Sequence, residues 1–217
     1  MKHTAITDDL YEYLLAHGHN ADPVLAELAR VTREKVGDWS IMQIAPEQGT
    51  LMEILVRVSG ARTAVEVGTF TGYSAICIAR GLPPDGTLLC CDVSEEWTAI
   101  ARDYFAKAGV ASKIRLEIAP ALDTLRGLPA DASIDFAFVD ADKESYEDYY
   151  EELLRRLRPN GLIVFDNVLW GGSIVDTSNR SADTVALRRL NERIVHDDRV
   201  QAVMLSISDG LTLVRRK

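Results

Sequence analysis

The residues best placed to do chemistry in this chain stand at the ends of two apolar runs. Asp140 closes Phe138-Val139-Asp140, and Asp166 with Asn167 closes Val164-Phe165-Asp166-Asn167. If the two runs pair as strands, roughly 4.8 Å apart, three oxygen ligands converge at one mouth. Two carboxylates and a carboxamide, without His or Cys, select a hard cation (Mg²⁺, or Mn²⁺ or Ca²⁺) over zinc. Three protein ligands leave room on an octahedral ion for water and substrate oxygens. The competing account is three turn residues that cap strands and helices. Lys143, three residues after Asp140, is placed to help deprotonate a substrate hydroxyl. A surface ion pair with Glu144 or Glu147 is its alternative. Trp170 follows Asn167 closely and either walls an aromatic substrate or packs in the core.

A second constellation lies upstream, in Thr63-Ala64-Val65-Glu66-Val67-Gly68-Thr69-Phe70-Thr71-Gly72-Tyr73-Ser74. An apolar run meets two glycines and passes into Ala75-Ile76-Cys77-Ile78-Ala79, a pattern of strand, tight turn and helix start. Glycine lets backbone N–H groups approach a ligand closely. A dinucleotide fingerprint needs glycines at the first, third and sixth positions. Counted from Gly68, those positions hold Phe70 and Tyr73, so a pyrophosphate would meet side chains. The loop suits a nucleoside ligand without a pyrophosphate. Asp92, at the end of the next strand, is an acceptor for two ribose hydroxyls or an N-cap for the following helix.

These residues need a scaffold. Strand-like runs at Thr63–Val67, Thr87–Cys91, Ile114–Ile118, Ile134–Val139 and Leu162–Phe165 alternate with helical stretches at Tyr73–Leu82, Glu95–Ala108, Ala121–Leu125 and Tyr146–Leu157. Gly or Pro punctuates the joins, as in Arg158-Pro159-Asn160-Gly161. The alternation predicts right-handed βαβ crossovers and a parallel sheet, with ligands at the carboxyl ends of the strands near a switch point. A helix over Thr184–His196 and strands over Val200–Ile207 and Leu211–Val214 follow. Ser208-Asp209-Gly210 is too short a link for anything but antiparallel pairing, so the last strand is reversed. Residues 1–60 read as N-terminal helices over the cofactor and substrate entrance, with Trp39–Gly49 a loop, and 61–217 as the core of the same domain. Tyr146, Tyr149 and Tyr150 read as packing.

Composition narrows the function. The chain has 217 residues, 47% of them hydrophobic, and a net charge of −9. Nucleic-acid binders present a basic stripe. Here the nearest equivalent, Arg215-Arg216-Lys217, reads as a solvated tail, and an RNA substrate is disfavoured. No apolar run spans a membrane, and the polar, acid-bearing N-terminus is no signal peptide. Cys77, Cys90 and Cys91 lie in apolar runs, an odd count that points to a reducing, cytoplasmic compartment and to packing roles. His3, His17, His19 and His196 show no metal-ligand spacing, and His17-Gly-His19 reads as a solvated loop.

Several of these motifs occur together in one family. Met42-Gln43-Ile44-Ala45-Pro46-Glu47-Gln48-Gly49, Glu66-Val67-Gly68-Thr69, Thr71-Gly72-Tyr73-Ser74, Val139-Asp140-Ala141-Asp142-Lys143 and Asp166-Asn167-Val168-Leu169-Trp170 resemble the cation-dependent catechol and caffeoyl-CoA type O-methyltransferases, from about Trp39 to the C-terminus. The resemblance implies a single-domain, Rossmann-like α/β fold with a seven-stranded, mostly parallel sheet. It implies S-adenosyl-L-methionine as cofactor: Glu66, Gly68, Thr69 and Ser74 around the methionine moiety, Met42 and Ile44 in the covering loop, Asp92 on the ribose, Val93 beneath the adenine, and Ala121 beside it. It also implies Asp140, Asp166 and Asn167 as metal ligands, Asp140 touching the cofactor too, Lys143 as base, and Asp142 and Trp170 on the substrate side. Animal catechol enzymes place an aromatic residue where this chain has Asp142, so the plant and bacterial branch is the nearer relative. The expected acceptor is a small aromatic hydroxyl compound, and the expected assembly a homodimer. Two other classes stay open at this point: a nicotinamide-dependent oxidoreductase, and a non-catalytic cofactor-binding protein.

Overall fold

The structure, a computed structural model, describes residues 4–131 and 133–217. His3 and the first residues of the polar N-terminus lie outside them. Helices α1 (Asp8–His17), α2 (Pro23–Val36) and α3 (Pro46–Ser59) precede β1 (Thr63–Val67). Then come α4 (Tyr73–Gly81), β2 (Thr87–Asp92), α5 (Glu95–Lys107), β3 (Ile114–Ile118), α6 (Ala121–Gly127) and β4 (Ile134–Val139). The chain ends with α7 (Tyr146–Arg156), β5 (Leu157–Phe165), α8 (Ala182–Val195), β6 (Val200–Leu205) and β7 (Leu211–Arg216).

The seven strands run in the order β3-β2-β1-β4-β5-β7-β6. β1 to β5 are parallel, and β7 is antiparallel to both β5 and β6. The last strand is thus reversed, as Ser208-Asp209-Gly210 predicts, but it lies inside the sheet with β6 at the edge. Period-2 alternation feeds two cores. Phe136 and Phe138 of β4 pack on one face with Leu28, Met52 and Ile76. Ala137 and Val139 pack on the other with Tyr150, Leu153 and Leu187. Adjacent Cys90 and Cys91 divide the same way, both buried and both unbridged.

Several elements depart from the sequence expectations. Of the Trp39–Gly49 segment only residues 43–45 are irregular: a 3-10 turn covers Gly37–Met42, and Pro46 opens α3 at the first turn, where a missing N–H costs nothing. His17 closes α1 instead of standing in a loop, its Nδ1 2.8 Å from the Tyr13 carbonyl oxygen. β5 begins at Leu157, and its pairing with β4 slips between Ile134 and Phe136, so the Arg158–Gly161 punctuation is a bulge within the strand, Asn160 standing at φ 64°. Arg215 and Arg216 extend β7, and Arg216 donates to the Leu157 carbonyl, so these residues are no tail. A polar composition hid a strand whose charged ends satisfy neighbouring backbone.

One glycine fixes the geometry of the sheet's carboxyl edge. Gly68 follows β1 at φ 90°, and a Cβ built there would stand 1.8 Å from the carbonyl oxygen of Asp140. Gly68→Ala should therefore cost at least about 3 kcal/mol, from left-handed strain and collision with rigid backbone. Gly127→Ala, where nothing stands within 4 Å, is the control. Urea denaturation midpoints compare the two, and equal stabilities would refute the close-approach argument.

Candidate active site

The order β2-β1-β4 is a switch point, because the chain leaves β1 in one direction and returns for β4 on the other side. A cavity of about 650 Å³ opens there, at the carboxyl ends of the central strands. The β1 loop contributes Gly68, Thr69 and, from α4, Ser74. The segment before α3 contributes Met42 and Ile44. Asp92, Val93 and Ala121 line the part fed by β2 and β3, and Asp140, Asp142, Lys143, Asn167 and Trp170 the part fed by β4 and β5. Two predicted site residues, Glu66 and Asp166, are buried in the floor and do not line the cavity.

Asp92 braces the first loop. Its Oδ2 accepts from the N–H groups of Thr69, at 2.9 Å, and Phe70, at 2.8 Å, and its Oδ1 accepts from Ser94 N at 2.8 Å. The helix-cap role falls instead to Ser94, whose hydroxyl accepts from Trp97 N at 3.2 Å. Three donors on a carboxylate with about four acceptor positions leave capacity for a ligand hydroxyl. Phe70 stands at φ 51° and packs edge-on against Trp97, ring centroids 5.1 Å apart, so aromatic side chains occupy the wall where a pyrophosphate would need bare backbone. Glu66 lies fully buried beneath Thr69 and Ser74. Neither carboxyl oxygen makes a hydrogen bond of normal geometry among the described residues. Burial pushes this carboxyl up to about 8, with Ser74, Cys90 and Thr69 tempering the rise and Asp92 adding to it.

The other end is a compact polar knot. Lys143, only 7% exposed, aims its Nζ at three oxygens: Asn167 Oδ1 at 2.7 Å, the Tyr146 hydroxyl at 2.7 Å and Asp140 Oδ1 at 3.0 Å. The surface pairing with Glu144 or Glu147 is therefore absent; Glu147 binds Arg189 and Arg193 instead. Asn167 stands at φ 58°, a conformation asparagine tolerates better than most residues, and this turns its carboxamide into the knot. Asp166 accepts from Gln48 Nε2 at 2.7 Å and from Asn167 N at 2.6 Å. Burial first and Asp140 second raise the Asp166 carboxyl well above its ordinary range. Trp170, at φ 50°, walls the knot with its ring centroid 5.6 Å from Lys143 Nζ. The β6–β7 hairpin holds that wall: Leu169 N donates to the Asp209 carbonyl at 3.0 Å and Gly171 N to the Asp209 carboxylate at 2.6 Å.

Three side chains beyond the sequence-derived set serve this knot. Tyr146 is more than packing, since its hydroxyl holds Lys143 while lying 3.2 Å from the Asp166 carbonyl. Burial, with Asp140 and Asp166 nearby, holds that phenol far above its ordinary value, so it stays protonated. Tyr149 donates to Asp142 at 2.7 Å. Tyr146 follows Lys143 by three residues, a signal available in the sequence, whereas Asp142 stands outside the helix at ψ 123° and gives no such signal for Tyr149. Gln48 had none, because its partner is 118 residues away.

A seven-stranded sheet with one reversed strand, and a nucleoside-sized cavity at its switch point without a pyrophosphate loop, define a class of cofactor-dependent methyltransferases. The sequence profile described as O-methyltransferase matches residues 16–217, and the chain belongs to that family of S-adenosylmethionine-dependent enzymes. It is 38% identical to caffeoyl-CoA O-methyltransferase 2 of Zea mays, over 97% of this chain and 83% of the relative. Among solved structures it resembles the O-methyltransferase TomG of Streptomyces achromogenes, in complex with S-adenosylmethionine, at a TM-score of 0.87, 31% identity and 96% coverage of both chains. An O-methyltransferase from Bacillus cereus, in complex with S-adenosylhomocysteine, superposes at 0.86 with 29% identity, covering 95% of this chain and 96% of the other. The oxidoreductase and non-catalytic alternatives are thereby set aside. Among the described residues, no helix is long and apolar enough to cross a membrane.

Glu66 gives the site a pH signature. Its ordinary value is 4.5 and its folded value about 8, so between those limits the folded state holds a proton that the unfolded state has released. Stability of the cofactor-free protein should then fall as pH rises through this window, by on the order of 5 kcal/mol from this group. Glu66→Gln should flatten that slope. Urea midpoints measured across the window check it, and parallel slopes for both proteins would contradict it.

Proposed function

We propose that this enzyme methylates one of two vicinal oxygens on a small aromatic acceptor, such as a catechol, with a divalent cation held by Asp140, Asp166 and Asn167. The observation that carries this reading is the convergence of Asp140 and Asn167 oxygens on one cationic point, Lys143 Nζ, beside the buried carboxylate of Asp166. The donor set fits a hard cation. Burial first and the neighbouring Asp140 carboxylate second raise Asp166, and a divalent ion would offset both. Among the described residues no group of three His, Cys, Asp or Glu side chains is poised for a metal; this set has two carboxylates and a carboxamide. The cofactor fits as well, since the buried Glu66 carboxyl, without a hydrogen bond of normal geometry among the described residues, lies beneath Thr69 and Ser74, where a cationic methionine moiety would favour its ionised form.

Bound together, the cofactor would supply an electrophilic methyl group and the cation would favour the ionised acceptor. A phenol with a pKa near 10 is only ~0.1% ionised at pH 7, a cost of about 4 kcal/mol. Lys143 works on that cost at Nζ: as amine it takes the acceptor's proton, and as ammonium it steadies the oxyanion. Tyr146, protonated and immobile, holds Lys143 in place. Trp170 orients a flat ring, and Met42 and Ile44 cover the cavity against water. Asp142, fixed by Tyr149, lines the cavity beside Lys143.

Excess chelator should lower turnover ~100-fold or more, and added Mg²⁺ should restore it. Asp166→Ala should cut turnover far more than cofactor affinity. A labelled-methyl transfer assay, paired with calorimetry of cofactor binding, checks both; full turnover in excess chelator would sink the cation.

Acceptors with two adjacent oxygens should exceed matched monophenols by ~100-fold in kcat/KM, because a single oxygen loses both orientation and pKa lowering. The comparison is made at saturating cofactor and Mg²⁺. Equal values would make the cation structural and leave Lys143 as the sole activating group.

A further inference from the structure

Gln48 is a fully buried carboxamide in the first turn of α3. Its Nε2 donates to Asp166 Oδ2 at 2.7 Å, while its Oε1 finds no donor among the described residues. A buried acceptor without a partner is destabilising, and an apolar side chain of the same size would avoid that cost. The amide therefore serves something other than packing. Asp166 is its one side-chain partner among the described residues.

The carboxylate it touches is otherwise weakly specified. Asp166 Oδ1 accepts from Asn167 N at 2.6 Å, a contact to the adjacent residue that travels with the chain. Gln48 is the restraint from a separate element, and that element is rigid. A Cβ at neighbouring Gly49 would come within 2.9 Å of both Cys77 Sγ and Tyr73 Cε1, so the first turn of α3 is pressed against α4. With one donor on each oxygen, about two acceptor positions of the carboxylate remain, and the Gln48 bond sets where they point.

We propose that Gln48 is a positioning residue of the cation site, locking Asp166 in the rotamer that presents its free lone pairs beside Asp140 and Asn167. This rests on the cation reading above. Residues that orient metal ligands through hydrogen bonds commonly change affinity by about 10–100-fold when removed.

The test is direct Mn²⁺ binding to the full-length, cofactor-free protein, with free Mn²⁺ counted by electron paramagnetic resonance. Gln48→Met keeps the volume and loses the donor, and Gln48→Asn keeps the amide but is too short to reach. Both should raise the Mn²⁺ dissociation constant about 10–100-fold. The affinity for S-adenosylhomocysteine should stay unchanged, since Gln48 does not line the cavity. Should the Met variant fail to fold, the Asn variant carries the comparison. Wild-type Mn²⁺ affinity in a folded variant overturns the role of Gln48 and leaves the cation reading intact, even if thermal stability falls. Absence of Mn²⁺ binding by the wild-type protein overturns both.

Discussion

The structure depends on a close approach of two loops. The carbonyl oxygen of Asp140 occupies the space that any side chain at position 68 would need. Bare backbone at Gly68 lets the β1 and β4 exits touch, and the register between those strands carries that contact to the sheet's edge. Everything chemical follows from this edge. The β1 loop, braced by Asp92, faces the same cavity as the β4 exit with Asp140 and Lys143. The cavity lies where these loops face each other, so the nearness of its two walls is built into strand packing.

The electrostatics of the site are arranged around burial. A lone carboxylate taken from water would neutralise, and Glu66 and Asp166 both shift in that direction. They differ in company. Asp166 has a carboxamide, a backbone amide and a nearby ammonium to offset its burial. Glu66 has flanking hydroxyls and a thiol but no well-formed hydrogen bond. Lys143 is likewise desolvated and is held by three oxygens, one of them a phenol that stays protonated. The chain tolerates these costs because two large cores surround them, with the strands contributing alternate residues to each. Unpartnered buried atoms at Glu66, Thr69 and Gln48 all lie under the cavity or beside its polar end, the place where stability is traded for ligand recognition.

Sequence alone determined much of this protein. Local patterns placed β1, β3 and β4 at their observed bounds, because apolar runs bounded by Gly, Pro and Asp leave few alternatives. Asp209-Gly210 disclosed the reversed strand, since so short a link, five residues between Leu205 and Leu211, cannot cross over. Asp140, Asp166 and Asn167 were legible because strand ends in a parallel sheet share one edge. Tertiary structure decided the rest, and the reason is sequence distance. Gln48 meets Asp166 across 118 residues, Leu169 and Gly171 lean on Asp209, and Arg216 satisfies the Leu157 carbonyl. None of these partners leaves a periodicity or a motif. The N-terminal segment misled for the same reason: Pro46 opens a helix whose buried face, Gln48, Gly49, Met52 and Val56, is defined by α4 and Asp166 and not by its own hydrophobic spacing. Residue type and order specify which groups stand at a strand end. Only the packed fold decides which of them are desolvated, which are paired, and which way a carboxylate points.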